Sequence, residues 1–234
     1  MARFQKRAPS GNILTASWRG KDIGSHVCGV RYAGGSVGRG FQIHPRGAHD
    51  AAMRMVEGPV IHERVLVGRN EVKVSTATDV GATTATLIGR QHELMTVFTG
   101  PAPARERIAD IFGVLDINDH PHGMRVAPTR ASMLSLVSEH IVFVADDFTS
   151  MDAPGAPSAQ RLVPRGQGRG KKTQKGEVWK SKVPGRSGNK AHDFAYIVGT
   201  PRGAVELVAG APAEITETAL LEMVDTMDVT WSAG

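Results

Sequence analysis

Two stretches of the chain run in step. EVKVSTATDVGATTATLIGRQHELMTVFTG begins at Glu71, and EVWKSKVPGRSGNKAHDFAYIVGTPRGAVELVAG begins at Glu177. Each opens on Glu-Val, carries an apolar run to a turn glycine (Gly89, Gly199) and follows it with a β-rich run to a second glycine (Gly100, Gly210). Helical spacing comes next in both. Ile108, Ile111, Phe112 and Leu115 fall at i, i+3, i+4 and i+7, and Leu220, Met223, Val224 and Met227 repeat that spacing. Both stretches close on Asp and a β-branched residue, Asp116-Ile117 and Asp228-Val229. Local rules make any two β-β-α units alike, but here turn glycines, helix phase and closing dipeptide agree together. The pattern predicts an α+β fold: antiparallel sheets with helices packed on them, in two pseudo-repeated halves.

Around this frame the sequence predicts strands at 27–32, 41–44, 60–67, 71–76, 83–88 and 94–99, with helices at 48–56 and 104–115. Pro103 suits the first turn of the second helix. The later half reads as a short helix at 130–138, strands at 141–145, 177–182, 194–198 and 204–209, and a final helix at 213–227. This divides the chain into a basic amino-terminal arm (1–22), a first α+β half (23–129) and a second (130–234) with a basic inserted loop (151–176).

Consecutive antiparallel strands closed by a helix, carried by residues 71–117 and again, with more decoration, by 177–229, resemble the PsbP-like class of α/β/α sandwich, to which LpqN-type proteins are similar. The resemblance is one of architecture, without a diagnostic motif. It implies a binding or assembly module with no catalytic residues to carry over. The long basic insertion and the missing export signal depart from that class.

With 41% hydrophobic and 22% charged residues, the chain can bury a core. No run approaches the roughly 18 apolar residues of a membrane span, and the basic amino terminus lacks the apolar block of a secretory signal. No membrane partner is expected, and the expected setting is the cytoplasm or a particle, such as a virion, assembled there. Cys28 is the single cysteine, so neither an intramolecular disulfide nor a cysteine-built zinc site can form within one chain.

Charge is segregated. Residues 1–22 hold five Lys or Arg and one acid, and residues 161–190 hold ten and one, so the remainder carries −8 of an overall +5. A Pro/Gly/Ala/Ser-rich spacer precedes the second basic segment, and the two together read as a loop of a length that is usually functional or disordered. The candidate anionic-partner residues are Arg161, Arg165, Arg169, Lys171, Lys172, Lys175, Lys180, Lys182, Arg186 and Lys190. They suit phosphates, through counterion release, or an acidic protein surface or neighbouring subunit. Trp179 could stack on a base, but its place in EVWKSKV suggests a packed strand.

Chemistry-bearing motifs are weak. Asp116, Asp119, His120 and His122 crowd into DINDHPHG, where they could ligate a metal ion, though Asn, Asp, Pro and Gly also mark a polar turn. RQHELM lacks the second histidine of a zinc-protease motif, YAGGSVGRGF lacks phosphate-loop spacing, and no nucleophile elbow is present. The sequence implies no cofactor, metal or catalytic residue. It favours a non-enzymatic interaction or assembly protein, such as a structural component of a virion or other multi-subunit particle. A metal-dependent hydrolase using the DINDHPH cluster and a regulatory nucleic-acid binder are the competing readings.

Overall fold

The computed structural model describes residues 1–20, 23–35, 37–145, 149–164, 170–210 and 216–234. In chain order the first elements are β1 (Ala2–Arg7), β2 (Ile13–Trp18), β3 (Ile23–Gly34), β4 (Val37–Pro45), α1 (Ala48–Arg54), β5 (Val60–Val67) and β6 (Asn70–Ala77). Next come β7 (Ala82–Ile88), β8 (His92–Thr99), α2 (Arg105–Gly113), β9 (Leu115–His120), β10 (Gly123–Pro128), β11 (Ser135–Ala145) and β12 (Thr149–Pro154). The last are α3 (Ala156–Leu162), β13 (Lys171–Lys172), β14 (Glu177–Lys182), a short 3-10 helix (Ala191–Asp193), β15 (Phe194–Thr200), β16 (Gly203–Val208), α4 (Glu217–Asp225) and β17 (Asp228–Ser232). Antiparallel sheet dominates, as α+β patterning requires. No described helix is long and apolar enough to cross a membrane.

The chain forms two compact units: a central one, Val27–Val137, and a split one made of Met1–His26 and Ser138–Gly234. In the central unit the strand order is β3-β4-β8-β7-β6-β5, with β9 and β10 as a separate hairpin. Its core face is an alternating set: Val72 pairs with Leu87, which pairs with Leu94, and all three are buried. α2 lays Ile108 and Phe112, one turn apart, on the core, and the Phe112 ring meets Phe41 edge-on at 5.8 Å. Tyr32, buried on β3, donates its hydroxyl to the Val126 carbonyl on β10 at 2.5 Å, which ties the hairpin to the sheet.

In the split unit the strand order is β11-β12-β16-β15-β14-β13, and a second sheet is ordered β1-β2-β17. Val178, Val198 and Val205 are register neighbours on the core face, and α4 covers it with Leu220, Met223 and Val224. Thr216 caps α4 by accepting the Ala219 N–H at 3.2 Å. Phe143 of β11 stacks on Phe4 (4.8 Å) and Trp18 (6.0 Å).

That packing corrects the amino-terminal arm. Residues 2–7 and 13–18 form a fully registered hairpin. Ala2, Phe4 and Lys6 alternate inward, while Arg3 and Gln5 face solvent, so the basic residues belong to a packed strand, Arg3 outside and Lys6 within. Within the inserted loop at 151–176, residues 151–154, 156–162 and 171–172 are regular, and 165–169 lie outside the described residues. β12 pairs with both β11 and β16 and turns Thr149, Met151 and Ala153 inward, and α3 starts on Ala156-Pro157, where a first-turn proline costs no hydrogen bond. The helix expected at 130–138 does not form: residues 130–134 are turn and coil, and 135–138 begin β11, where Ser135 Oγ donates to the Ala33 carbonyl of β3, a tertiary contact that outweighs a short helical spacing.

Candidate functional site

The cationic residues named from the sequence separate into committed and uncommitted sets. Lys180 bonds Glu217 at 2.6 Å and stands 3.8 Å over the Phe194 ring. The ammonium of Lys180 holds the Glu217 carboxyl below its ordinary range. Burial first, then the nearby Glu217 carboxylate, pushes the Tyr196 hydroxyl up to about 12. Lys182 donates to the Gly188 carbonyl at 2.5 Å and lies 5.0 Å from the same Phe194 ring. Arg186 donates to the His192 carbonyl. These three cations fold the local chain.

Lys171 and Lys172 are exposed on β13, Lys175 is exposed in the turn before β14, and Arg161 and Lys190 are exposed at the end of α3 and before the 3-10 helix. None of these five side chains has an ion pair among the described residues. Arg165 and Arg169 lie outside the described residues. A cleft of about 410 Å³ brings Lys171 and Lys172 together with Arg19, over a floor that includes Val178, Leu221 and Val224. Glu222 and Asp225 of α4 share its wall. The cleft is positioned by the Arg19 N–H donating to Thr226 Oγ1 at 2.8 Å and by Gln174 Nε2 donating to Asp225 at 2.8 Å.

The DINDHPHG cluster does not converge. Asp119 accepts hydrogen bonds from the Gln91 N–H (2.7 Å) and His92 N–H (3.2 Å), and its other oxygen meets His92 Nδ1 at 2.7 Å. Burial alone would raise its pKa, but these bonds outweigh it and hold the carboxyl below its ordinary range. Asp116, His120 and His122 are exposed. Among the described residues no three His, Cys, Asp or Glu side chains are grouped to hold a metal ion.

A polar cluster that the sequence reading missed lies in the central unit. His49 of α1 is buried, with Nδ1 2.8 Å from Thr86 Oγ1 and Nε2 2.8 Å from Ser75 Oγ. Ser75 is also buried and meets Nδ1 of the exposed His62 at 2.8 Å. Glu93, buried on β8, accepts the Gly47 and His49 N–H groups at 2.7 Å each and so fixes the start of α1. A cleft of about 310 Å³ opens here, lined by His49, Asp50, His62, Arg64, Lys73 and Ser75 among others. Lys73 donates to both Asp50 oxygens, at 2.9 and 3.0 Å. The members come from three strands and a helix separated by 13 to 37 residues in sequence, so no short motif signals them.

No protein-family model, curated protein or solved structure matches the chain.

Proposed function

We propose that the protein is a non-enzymatic interaction and assembly module built from two copies of one α+β unit, and that its split unit engages an acidic segment of a neighbouring subunit. The duplication is supported by element order and sheet order together. β3-β4-α1-β5-β6-β7-β8-α2-β9 corresponds to β11-β12-α3-β13-β14-β15-β16-α4-β17, and the strand orders correspond position by position. The registers agree too, since Val72, Leu87 and Leu94 occupy the places of Val178, Val198 and Val205. A PsbP-like architecture would apply to each copy. A virion or comparable particle is a natural setting for such a module.

The observation that carries the binding reading is the cleft shared by Arg19, Lys171 and Lys172. Its apolar floor favours a peptide with both acidic and apolar side chains over a polyphosphate backbone, which has no apolar group to bury there. The test is fluorescence anisotropy with a glutamate- and leucine-rich peptide and, separately, single-stranded DNA. Peptide binding should weaken by about tenfold or more in the Lys171→Glu/Lys172→Glu variant, since charge reversal replaces attraction by repulsion. DNA binding with a steep salt slope and no peptide binding would replace this reading by a nucleic-acid one.

A further inference from the structure

Like charges set directly opposite one another in an antiparallel pair cost stability. Arg64 and Lys73 are nonetheless register partners on β5 and β6, and the next pair on the same face is His62 opposite Ser75. Lys73 is neutralised by Asp50, whereas Arg64 among the described residues meets only Glu71, at 3.6 Å across an exposed pair that contributes little. Glu63 also lines the cleft, but its carboxylate bonds Arg105 of α2 at 3.3 Å. The cleft is thus lined by Arg64 and Lys73 against Asp50 and Glu63, and Glu63 is drawn toward Arg105.

Burying His49, Ser75 and Thr86 as a hydrogen-bonded chain is an expensive way to fill space under a helix. The corresponding place in the split unit is filled differently. There Trp179 takes the position of Lys73, Ile197 that of Thr86, and the indole packs where a side chain on Gly199 or Gly170 would collide with it. This comparison rests on the duplication inferred above; the cleft itself does not. The scaffold therefore tolerates an apolar filling, and the polar one calls for a ligand.

We propose that the cleft beneath α1 binds a small tetrahedral oxyanion of the phosphate class, held by Lys73, Arg64 and His62. At about 310 Å³ it lies at the low end of ligand pockets, roughly 300–1,000 Å³, so the ligand is small. His62 uses Nδ1 on Ser75, which leaves Nε2 without a protein partner among the described residues, and Nε2 carries a proton to donate when Ser75 donates to Nδ1 or when the imidazole is protonated. The Ser75 hydroxyl has one proton and sits between two imidazoles. When it donates to His49, His62 donates to it; when it donates to His62, His49 donates to it. The chain thus adjusts its polarity to whatever His62 meets. Protonation of His49 is opposed first by burial and also by Lys73 and His62, while Asp50 and Glu93 favour it; the net direction is downward. Around His62 the charged neighbours are Glu63 and Arg64 on its own strand and Lys73 on β6. A bound anion offsets the repulsion within this group and favours a protonated imidazole beside it, so by linkage it binds more tightly at lower pH.

Isothermal titration with inorganic phosphate at about pH 6 and about pH 8, alongside imidazole NMR of His49 and His62, tests this on the full chain. The expected result is saturable binding, tighter at the lower pH, that shifts both imidazoles. Lys73→Met should weaken it by about tenfold or more, and His62→Gln should remove most of the pH dependence while the protein stays folded by circular dichroism. A parallel titration with phenyl phosphate separates a free-ion site from one open to phosphorylated small molecules, and binding of either supports the proposal. No saturable binding at either pH, equal affinity in Lys73→Met, or acetate binding as tightly as phosphate would overturn it. The Lys171→Glu/Lys172→Glu variant should bind phosphate normally, which keeps this site separable from the peptide cleft.

Discussion

The two units place a short helix over the same part of the same six-stranded order, and put opposite chemistry beneath it. In the central unit His49 of α1 meets Ser75 and Thr86, with Lys73 beside them; in the split unit Trp179 lies against Gly170 and Gly199, glycines that let the indole approach. The edges differ as well. The central unit ends on β5, eight residues long with Ile61 and Leu66 exposed, and the split unit ends on β13, two lysines long. Short, lysine-bearing edges resist unwanted pairing and long ones invite it. A common topology thus fixes where helices and strands sit and leaves the space between them free to diverge.

The largest effect that can break this comparison concerns what completes the split unit. Trp18→Ala removes a fully buried indole from the stack with Phe143 and should cost about 3–5 kcal/mol in urea unfolding, while a loss within experimental error would return residues 1–20 to the status of an arm. Next in size is the matched pair beneath the helices. Trp179→Ala should cost about 2–4 kcal/mol, a partly exposed indole giving less than a buried one. Lys73→Ala should cost no more than about 1 kcal/mol, because it loses only a surface ion pair. Equal costs at the two positions would end the contrast between a structural filling and a functional one.

A smaller, pH-resolved difference comes from the β9 turn. Asp119 is held below its ordinary range in the folded protein, so its hydrogen bonds to residues 91 and 92 stabilise the fold at neutral pH and are lost as pH falls through the folded-state value, below about 4. Urea midpoints of wild type and Asp119→Asn should therefore differ at neutral pH and converge in acid.

Much of the frame was legible in the residues. The i, i+4 pairs Ile108/Phe112 and Leu220/Val224 do face cores, and strands form where they were expected at 60–67, 71–76, 83–88, 94–99, 177–182, 194–198 and 204–208. The amino-terminal hairpin was obscured because its exposed face carries Arg3, Gln5 and Arg7, so net charge drew attention from the inward alternation of Ala2, Phe4, Leu14 and Trp18. β12 was hidden by small and turn-forming residues whose pairing is decided by β11 and β16 on either side, a tertiary effect that no local propensity records. Of the ten cations, sequence alone could not tell Lys180, drawn to Glu217 thirty-seven positions away, from Lys171, which has no such partner. The His49 cluster was invisible for the related reason that strand register, set by the whole sheet, brings its members together.

The split unit has its first hairpin at one end of the chain and the strand that pairs with it, β17, at the other. On a ribosome adding roughly 5–20 residues per second, Trp18 is made roughly 10–40 s before Val229. During that interval the central unit can finish folding while Phe4, Leu14 and Trp18 wait without their core. Nascent chains of this protein should therefore bind hydrophobic-segment chaperones early, and moving β1 and β2 to follow β17 in a circular permutant should relieve the dependence.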